Sequence, residues 1–290
     1  MNPVRFLKKC LIDPPAARSS ARLVAREWYG KFHWWIWPDT PLMYRFPGGG
    51  KLKLYPGHSF TECIWPGVDR YEPDVQGALA YLLKPGDTFV DCGANVGYFS
   101  VMASDLVGPL GTVVSIEANP TTHELLAANL AMNGRGAPVH CALAAAAGEV
   151  DIFVSDMGDV YTSLRTGGLV RGDSVRSHKV RARTLDEVVA ERGLTQVDLV
   201  KVDIEGGELD VLKSASQVMQ QMRPTWIVEY GTNTWPVFGA TPAQLLDLLT
   251  ERRYVLRQFD ARTRRLVEAP AAIWESHYTN LILVPAEKAT

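Results

Sequence analysis

The chain has 290 residues, 47% of them hydrophobic and 21% charged, with a formal net charge of −2. That length buries a substantial core, and the balance indicates neither a disordered chain nor a membrane protein. Without a basic excess there is no electrostatic footprint for nucleic acid, so small molecules become the default partners.

The four cysteines, Cys10, Cys63, Cys92 and Cys141, are widely separated and form no CxxC pair. Neither a zinc site nor a disulfide framework is expected, and reduced thiols fit a cytoplasmic protein. Near the start, Arg5, Lys8 and Lys9 precede only Leu11-Ile12, which Asp13-Pro14-Pro15 interrupts. No signal peptide and no transmembrane segment is expected.

In chain order, residues 1–74 read as an aromatic-rich N-terminal extension carrying Trp28, Trp34, Trp35 and Trp37. Three readings stand for this cluster: buried packing, a lid or homo-oligomer contact over the acceptor site, or attachment at a membrane surface, for which Lys31 and His33 are a weak signal. The lid or oligomer contact is the working expectation. Tyr44 to Tyr55 reads as a hairpin around Gly48-Gly49-Gly50.

Residues 75–290 repeat strand, loop and helix, the pattern of a mostly parallel sheet flanked by helices. Seven strands are expected: 88–91, 112–117, 138–143, 197–203, 225–230, 254–259 and 280–284. Asn119 caps one helix, with Pro120 at its first position and Gly134 past its end. Thr184-Leu185-Asp186-Glu187 reads as a capping box, and Thr241-Pro242 as another helix start.

In an open α/β sheet, ligands bind beyond the carboxyl ends of the strands. Asp91, Glu117 and Asp203 stand at three such ends. The loop after Asp91 places glycines at 93 and 97, but Asn95 and Tyr98 occupy positions where a dinucleotide fingerprint needs glycine. A nicotinamide reading is weakened. The loop still brings backbone N–H groups at a helix start to a ligand, and a methionyl carboxylate suits them. Glu117, 26 residues beyond Asp91, is placed to accept both hydroxyls of a ribose. Together these features suit S-adenosylmethionine.

The segment Phe89-Val90-Asp91-Cys92-Gly93-Ala94-Asn95-Val96-Gly97-Tyr98-Phe99-Ser100 resembles the cofactor motif of the FkbM-type methyltransferases. Ser115-Ile116-Glu117-Ala118-Asn119-Pro120 is similar to that family's ribose-binding strand end. Val197 to Glu208 resembles its second signature, and Asn280 to Pro285 its final strand. The resemblance spans about residues 70–285. Two departures stand out: Glu117-Ala118 replaces the usual Glu-Pro, and Gly206-Gly207-Glu208 the usual Gly-Ala-Glu.

The resemblance implies a Rossmann-like class I methyltransferase that uses S-adenosylmethionine on a small-molecule acceptor, a glycan, lipid or secondary metabolite, methylated at oxygen. The cofactor contacts it suggests are Asp91, Gly93, Asn95, Gly97, Phe99, Glu117, Ala118, Asn119 and Asp203. Tyr71-Glu72 is similar to a tyrosine-acid pair before the family's cofactor loop; the alternative is a packing Tyr beside a surface Glu. Ala142 and Leu143 are placed to rest against an adenine, or belong to ordinary core, and Ser163-Leu164 is similar to a family serine-leucine pair.

A hydroxyl acceptor must lose its proton as it is methylated in line. Asp203 and Glu205, two apart in an extended segment, face one side. They are the first candidates for base or acceptor contact, with Glu229 the third. The alternatives are a cofactor-orienting role for Asp203 and a dipole-complementing one for Glu205. No metal is expected, because no His stands at ligand spacing; a cation held by Asp203 and Glu205 is the subordinate alternative. His58, His140, His178 and His277 read as ordinary surface or core residues, His277 being the one worth testing. Two rival functions remain open: an NAD-dependent oxidoreductase, and a non-catalytic cofactor-binding scaffold.

Overall fold

The structure is a computed structural model describing residues 21–155, 162–165 and 175–289. Cys10 and the first twenty residues of the expected extension lie outside the described residues. The described chain opens with α1 (Ala21–Ile36), the hairpin strands β1 (Leu42–Arg45) and β2 (Lys51–Leu54), α2 (Ser59–Ile64) and a 3₁₀ segment, Trp65–Arg70. There follow α3 (Pro73–Leu82), β3 (Thr88–Cys92), α4 (Tyr98–Val107), β4 (Thr112–Glu117), α5 (Pro120–Asn133) and β5 (Ala137–His140). Next come β6 (Ala142–Leu143), β7 (Gly148–Ser155), β8 (Thr162–Ser163), β9 (Val175–Arg183), α6 (Leu185–Glu191), β10 (Leu199–Val202) and α7 (Glu208–Ser214). The chain closes through β11 (Thr225–Gly231), α8 (Pro242–Arg252), β12 (Tyr254–Asp260), β13 (Arg265–Glu268) and β14 (Tyr278–Pro285).

The main sheet runs β13-β12-β14-β11-β10-β3-β4-β5. Neighbours from β11 to β5 are parallel, while β14 runs against both β11 and β12. This is the Rossmann-like, mostly parallel sheet expected from the sequence, with a reversed strand near one edge. The central strands are apolar almost without alternation because both faces are covered. Val90, Val114, Val200 and Val228 point into one hydrophobic layer. Their neighbours Phe89, Val113, Leu199 and Ile227 point into the other. Each such side chain, fully buried, contributes about 1.5–3 kcal/mol.

All seven expected strands contribute to this sheet, and β13 adds an eighth at the edge, antiparallel to β12. Its mostly exposed residues carry no apolar pattern to read. The run expected as one strand over 138–143 breaks at Cys141. Its first part pairs with β4, whereas Ala142-Leu143 leaves to pair with β9 in a second, four-stranded sheet, β6-β9-β7-β8.

The helix punctuation holds in detail. Asn119 accepts from Thr121 N and Thr122 N, and Gly134 ends α5 in the left-handed region at φ 64°. Thr184 and Thr241 each close a reciprocal capping box. The expected hairpin is present, and its edge is covered by two amides one turn apart on α5. Asn133 exchanges two 2.8 Å bonds with the Lys51 backbone, and Asn129 bonds both backbone groups of Lys53 at 2.8 and 3.2 Å. An edge strand so occupied is closed to pairing with another chain. Leu42, Phe46, Leu52 and Leu54 share the hydrophobic layer of Phe89 and Val113.

Cys63 is disulfide-bonded, which corrects the expectation of reduced thiols throughout, while Cys92 and Cys141 are free and buried. Among the described residues no helix is long and apolar enough to cross a membrane.

Candidate active site

Where β3 meets α4, the loop conformation dictates its residues. Gly93 has φ 81°, and a Cβ there would stand 1.8 Å from the carbonyl oxygen of Asp203. Only hydrogen fits, so the loop closes directly onto the end of β10. Asn95 is also left-handed (φ 50°), a conformation Asn tolerates better than most residues. Its N–H donates to Glu117 Oε2 at 2.9 Å, and Asn119 N–H donates to Glu117 Oε1 at 2.8 Å. Both carboxylate oxygens are thereby aimed. Burial pushes the Glu117 carboxyl up to about 7 despite these bonds from Asn119, Asn95 and Ala118.

Above this loop lies a cavity of about 350 Å³. It crosses the carboxyl ends of the strands, from Ala142 and Leu143 after β5, past Glu117 and Ala118 on β4, to Asp203 after β10 and Glu229 on β11. Its far side is completed by Tyr278, Thr279 and Asn280, because the reversed β14 begins at the edge where its antiparallel neighbour β11 ends. Asn280 pairs in register with Glu229, and its amide donates to Asp74 Oδ2 at 2.9 Å.

Three carboxylates converge on one side. Asp203, Glu205 and Glu229 each place an oxygen within 4.8 Å of the others. Such a group is able to accept a proton from a hydroxyl or to ligate a divalent cation. Beside it, Lys201 Nζ donates to Asp203 Oδ2 at 2.9 Å and lies 5.1 Å from the centre of the Phe99 ring. The lysine is 2% exposed. Burial opposes its charge, but Asp203, Asp91 and Glu72 outweigh burial and raise its pKa above the ordinary value. The cavity thus contains its own fixed cation.

Glu72 sits across from this cluster in a left-handed conformation, φ 42°. Burial and then the nearby Asp203 push its carboxyl up to about 7, while Lys201 draws it back. The Tyr71 hydroxyl donates to Glu72, and the Tyr71 ring packs among Phe60, Tyr98 and Phe99 at centroid distances of 5.3–5.7 Å. The loop after Asp203 is held by Glu208, whose Oε1 accepts from Ile204 N and Gly206 N, each at 3.0 Å. That clasp fixes the left-handed Glu205 and Gly206 (φ 60° and 120°).

The cavity wall contains Tyr71, Glu72, Gly93, Asn95, Phe99, Glu117, Ala118, Ala142, Leu143, Ser163, Asp203, Glu205 and Glu229. Three expected cofactor contacts stand behind the wall. Asp91 is buried beneath it and accepts from Ser100 Oγ at 2.6 Å. Gly97 forms the start of α4, and Asn119 caps α5. Ser163, carried by β8, donates to the Glu205 carbonyl at 3.2 Å, so the second sheet closes over the acid loop. His277 bonds Thr232 and does not line the cavity. Lys201 and Glu208 escaped the sequence reading. The signal for Lys201 was available: a charge inside the apolar run Leu199-Val200-Lys201-Val202.

The fold and the cavity define a class I methyltransferase with a glycine loop, a buried strand-end carboxylate and an acid cluster at adjoining strand ends. Residues 91–256, more than half of the chain, match the family model described as the methyltransferase FkbM domain, and the chain belongs to that family. It is 28% identical over 205 residues to methyltransferase sdnD of Sordaria araneosa, covering 59% of this chain and 74% of that protein. It is 27% identical to the hexuronic acid methyltransferase AglP of Haloferax volcanii, covering 67% and 74%. With the 31-O-demethyl-FK506 methyltransferase FkbM of Streptomyces tacrolimicus it shares 30% identity over 45% of this chain and 60% of that one. A solved FkbM methyltransferase from Methylobacillus flagellatus superposes with a TM-score of 0.47 at 15% identity, over 77% of this chain but only about half (51%) of its own.

Proposed function

We propose that the chain binds S-adenosylmethionine along this cavity and transfers its methyl group to a hydroxyl of a sugar-containing or other secondary metabolite. The observation that carries the reading is the single cavity that joins an aimed, buried Glu117 to the Asp203, Glu205 and Glu229 cluster. Glu117 accepts the ribose hydroxyls, and Ala142 and Leu143 flank the adenine. The methionyl end lies against Gly93, Ala94 and Asn95, which line the cavity; the N–H groups from Gly93 to Gly97 that the sequence offered to it are instead taken up by Ile116 O, Glu117, Asn95 Oδ1 and Ala94 O. When bound, the cofactor supplies an activated methyl group for in-line displacement. The protein's work is alignment, exclusion of water and removal of the acceptor proton.

Asp203, Glu205 and Glu229 are the groups for that proton, with Glu72 facing them. Lys201 holds Asp203 in place and keeps negative charge beside it. The named acceptors of two relatives, a hexuronic acid and a demethylated FK506, support an oxygen acceptor on a small molecule. Calorimetric titration tests the reading: S-adenosylmethionine and its demethylated product should bind at one site and displace each other. Absence of binding by either would overturn it.

A further inference from the structure

Helix α1 has two faces of opposite fate. Leu23, Arg26 and Gly30 face inward onto the Trp65–Arg70 segment: Trp65 Nε1 donates to Arg26 O at 2.8 Å, Arg26 pairs with Asp69, and a Cβ on Gly30 would stand 2.6 Å from the Trp65 ring. Diametrically opposite, at successive helical turns, stand Val24, Trp28, Phe32 and Trp35. A surface helix ordinarily presents polar residues there. Here Trp28 is 68%, Phe32 56% and Trp35 78% exposed, and Tyr29 and Trp37 flank them in the open. Buried packing therefore accounts for Trp34, which lies against the core, but not for Trp28, Trp35 and Trp37.

Charge identifies what the stripe faces. Residues 1–36 contain seven Lys and Arg against two Asp and Glu, net +5, while the other 254 residues carry −7. Lys31, 66% exposed on its side chain, lies beside the stripe with Nζ 5.9 Å from the Trp28 ring and 2.7 Å from Glu27 Oε1, an exposed pair that lipid phosphate can compete for. A second copy brings the same positive balance over residues 1–36 and is the poorer match. An anionic bilayer surface matches both properties: indole and phenol rings favour the headgroup level, and basic side chains are drawn to anionic lipid.

We propose that α1 docks this chain peripherally on an anionic lipid surface, with Val24, Trp28, Phe32 and Trp35 entering the interface. Among the described residues no helix is long and apolar enough to span the membrane. Gly67, Arg70 and Tyr71, at the far end of the segment on which α1 rests, line the cavity, so docking fixes the active site close to the bilayer.

The test is co-sedimentation of the full chain with phosphatidylcholine vesicles, with and without phosphatidylglycerol, read together with tryptophan emission. Binding should rise at least about tenfold with the anionic lipid and fall as salt is added, since each basic side chain near the surface contributes about 1 kcal/mol. Emission should shift to the blue on binding. Trp28→Ser, Phe32→Ser and Trp35→Ser combined should abolish sedimentation and leave the melting temperature and S-adenosylmethionine binding unchanged. Lys31→Glu should weaken binding to anionic vesicles alone. Failure to sediment with either vesicle overturns the proposal. So does a stable dimer in light scattering that the triple variant dissolves, which would assign the face to a second copy.

Discussion

The Lys201 ammonium, sealed inside the central sheet, stands 2.9 Å from Asp203 at the edge of the cavity. Lys201 is 2% exposed on its side chain and Asp203 20%, so water screens only one end of the pair. Lys201→Met leaves acids without their cation, and breaking such a pair costs about 3–5 kcal/mol. Because Lys201 draws the Glu72 carboxyl down, its loss should move the acidic limb of the pH–rate profile to higher pH. A merely structural role would lower stability without moving that limb, so urea denaturation and the pH profile together check the outcome.

If Glu117 accepts the ribose hydroxyls as proposed, its charge should control cofactor affinity. Its carboxyl lies at about 7, and ribose hydroxyls donate best to the ionised form. S-adenosylmethionine should bind more tightly as pH rises through about 7 and level off above it. Glu117→Gln should weaken binding roughly 10–100-fold, the worth of a hydrogen bond to a charged group, and flatten this dependence. Calorimetry at several pH values reads both effects.

Stability of the ligand-free protein should run the opposite way. Burial raises Glu72, Glu117 and Glu208 from 4.5 to about 7. Between those values the folded chain binds more protons than the unfolded one, so the contribution of these groups to unfolding free energy falls as pH rises from 4.5 to 7. Urea midpoints across that window should show the decline. Glu208→Gln should reduce it.

Gly93→Ala combines a φ of 81° with a Cβ 1.8 Å from the Asp203 carbonyl. The loop or β10 must move, at a cost of at least about 2–4 kcal/mol, and cofactor binding should be lost with it. By contrast Gly49→Ala, where φ is 100° but nothing lies within 4 Å, should carry only the backbone strain of about 1–3 kcal/mol and retain binding.

The converging Asp203, Glu205 and Glu229 already have Lys201 as a neighbour of opposite charge. Methyl transfer should therefore survive dialysis against EDTA. A loss restored by one divalent cation would transfer the trio from proton acceptance to metal ligation.

What sequence alone determined here is local. Glycine and asparagine at 93, 95 and 97 follow from backbone conformations few other residues adopt, the helix caps from hydrogen bonds within four residues, and the central strands from unbroken apolar runs. Glu117 and Asp203 were legible because each ends such a run.

Tertiary structure decided the relations between distant segments. No period in the sequence shows that β6 leaves the main sheet at Cys141, or that Ser163 returns to the Glu205 carbonyl. The charge on Lys201 depends on Asp91 and Glu72 arriving beside it from other elements, as well as on Asp203 two residues along the chain. Trp28, Trp35 and Trp37, which read equally well as core, stand exposed, while Trp34 packs inward, because Gly30 turns the other side of α1 onto Trp65. Charge, burial and partners are properties of space, and chain order carries them only where neighbours in sequence remain neighbours in the fold.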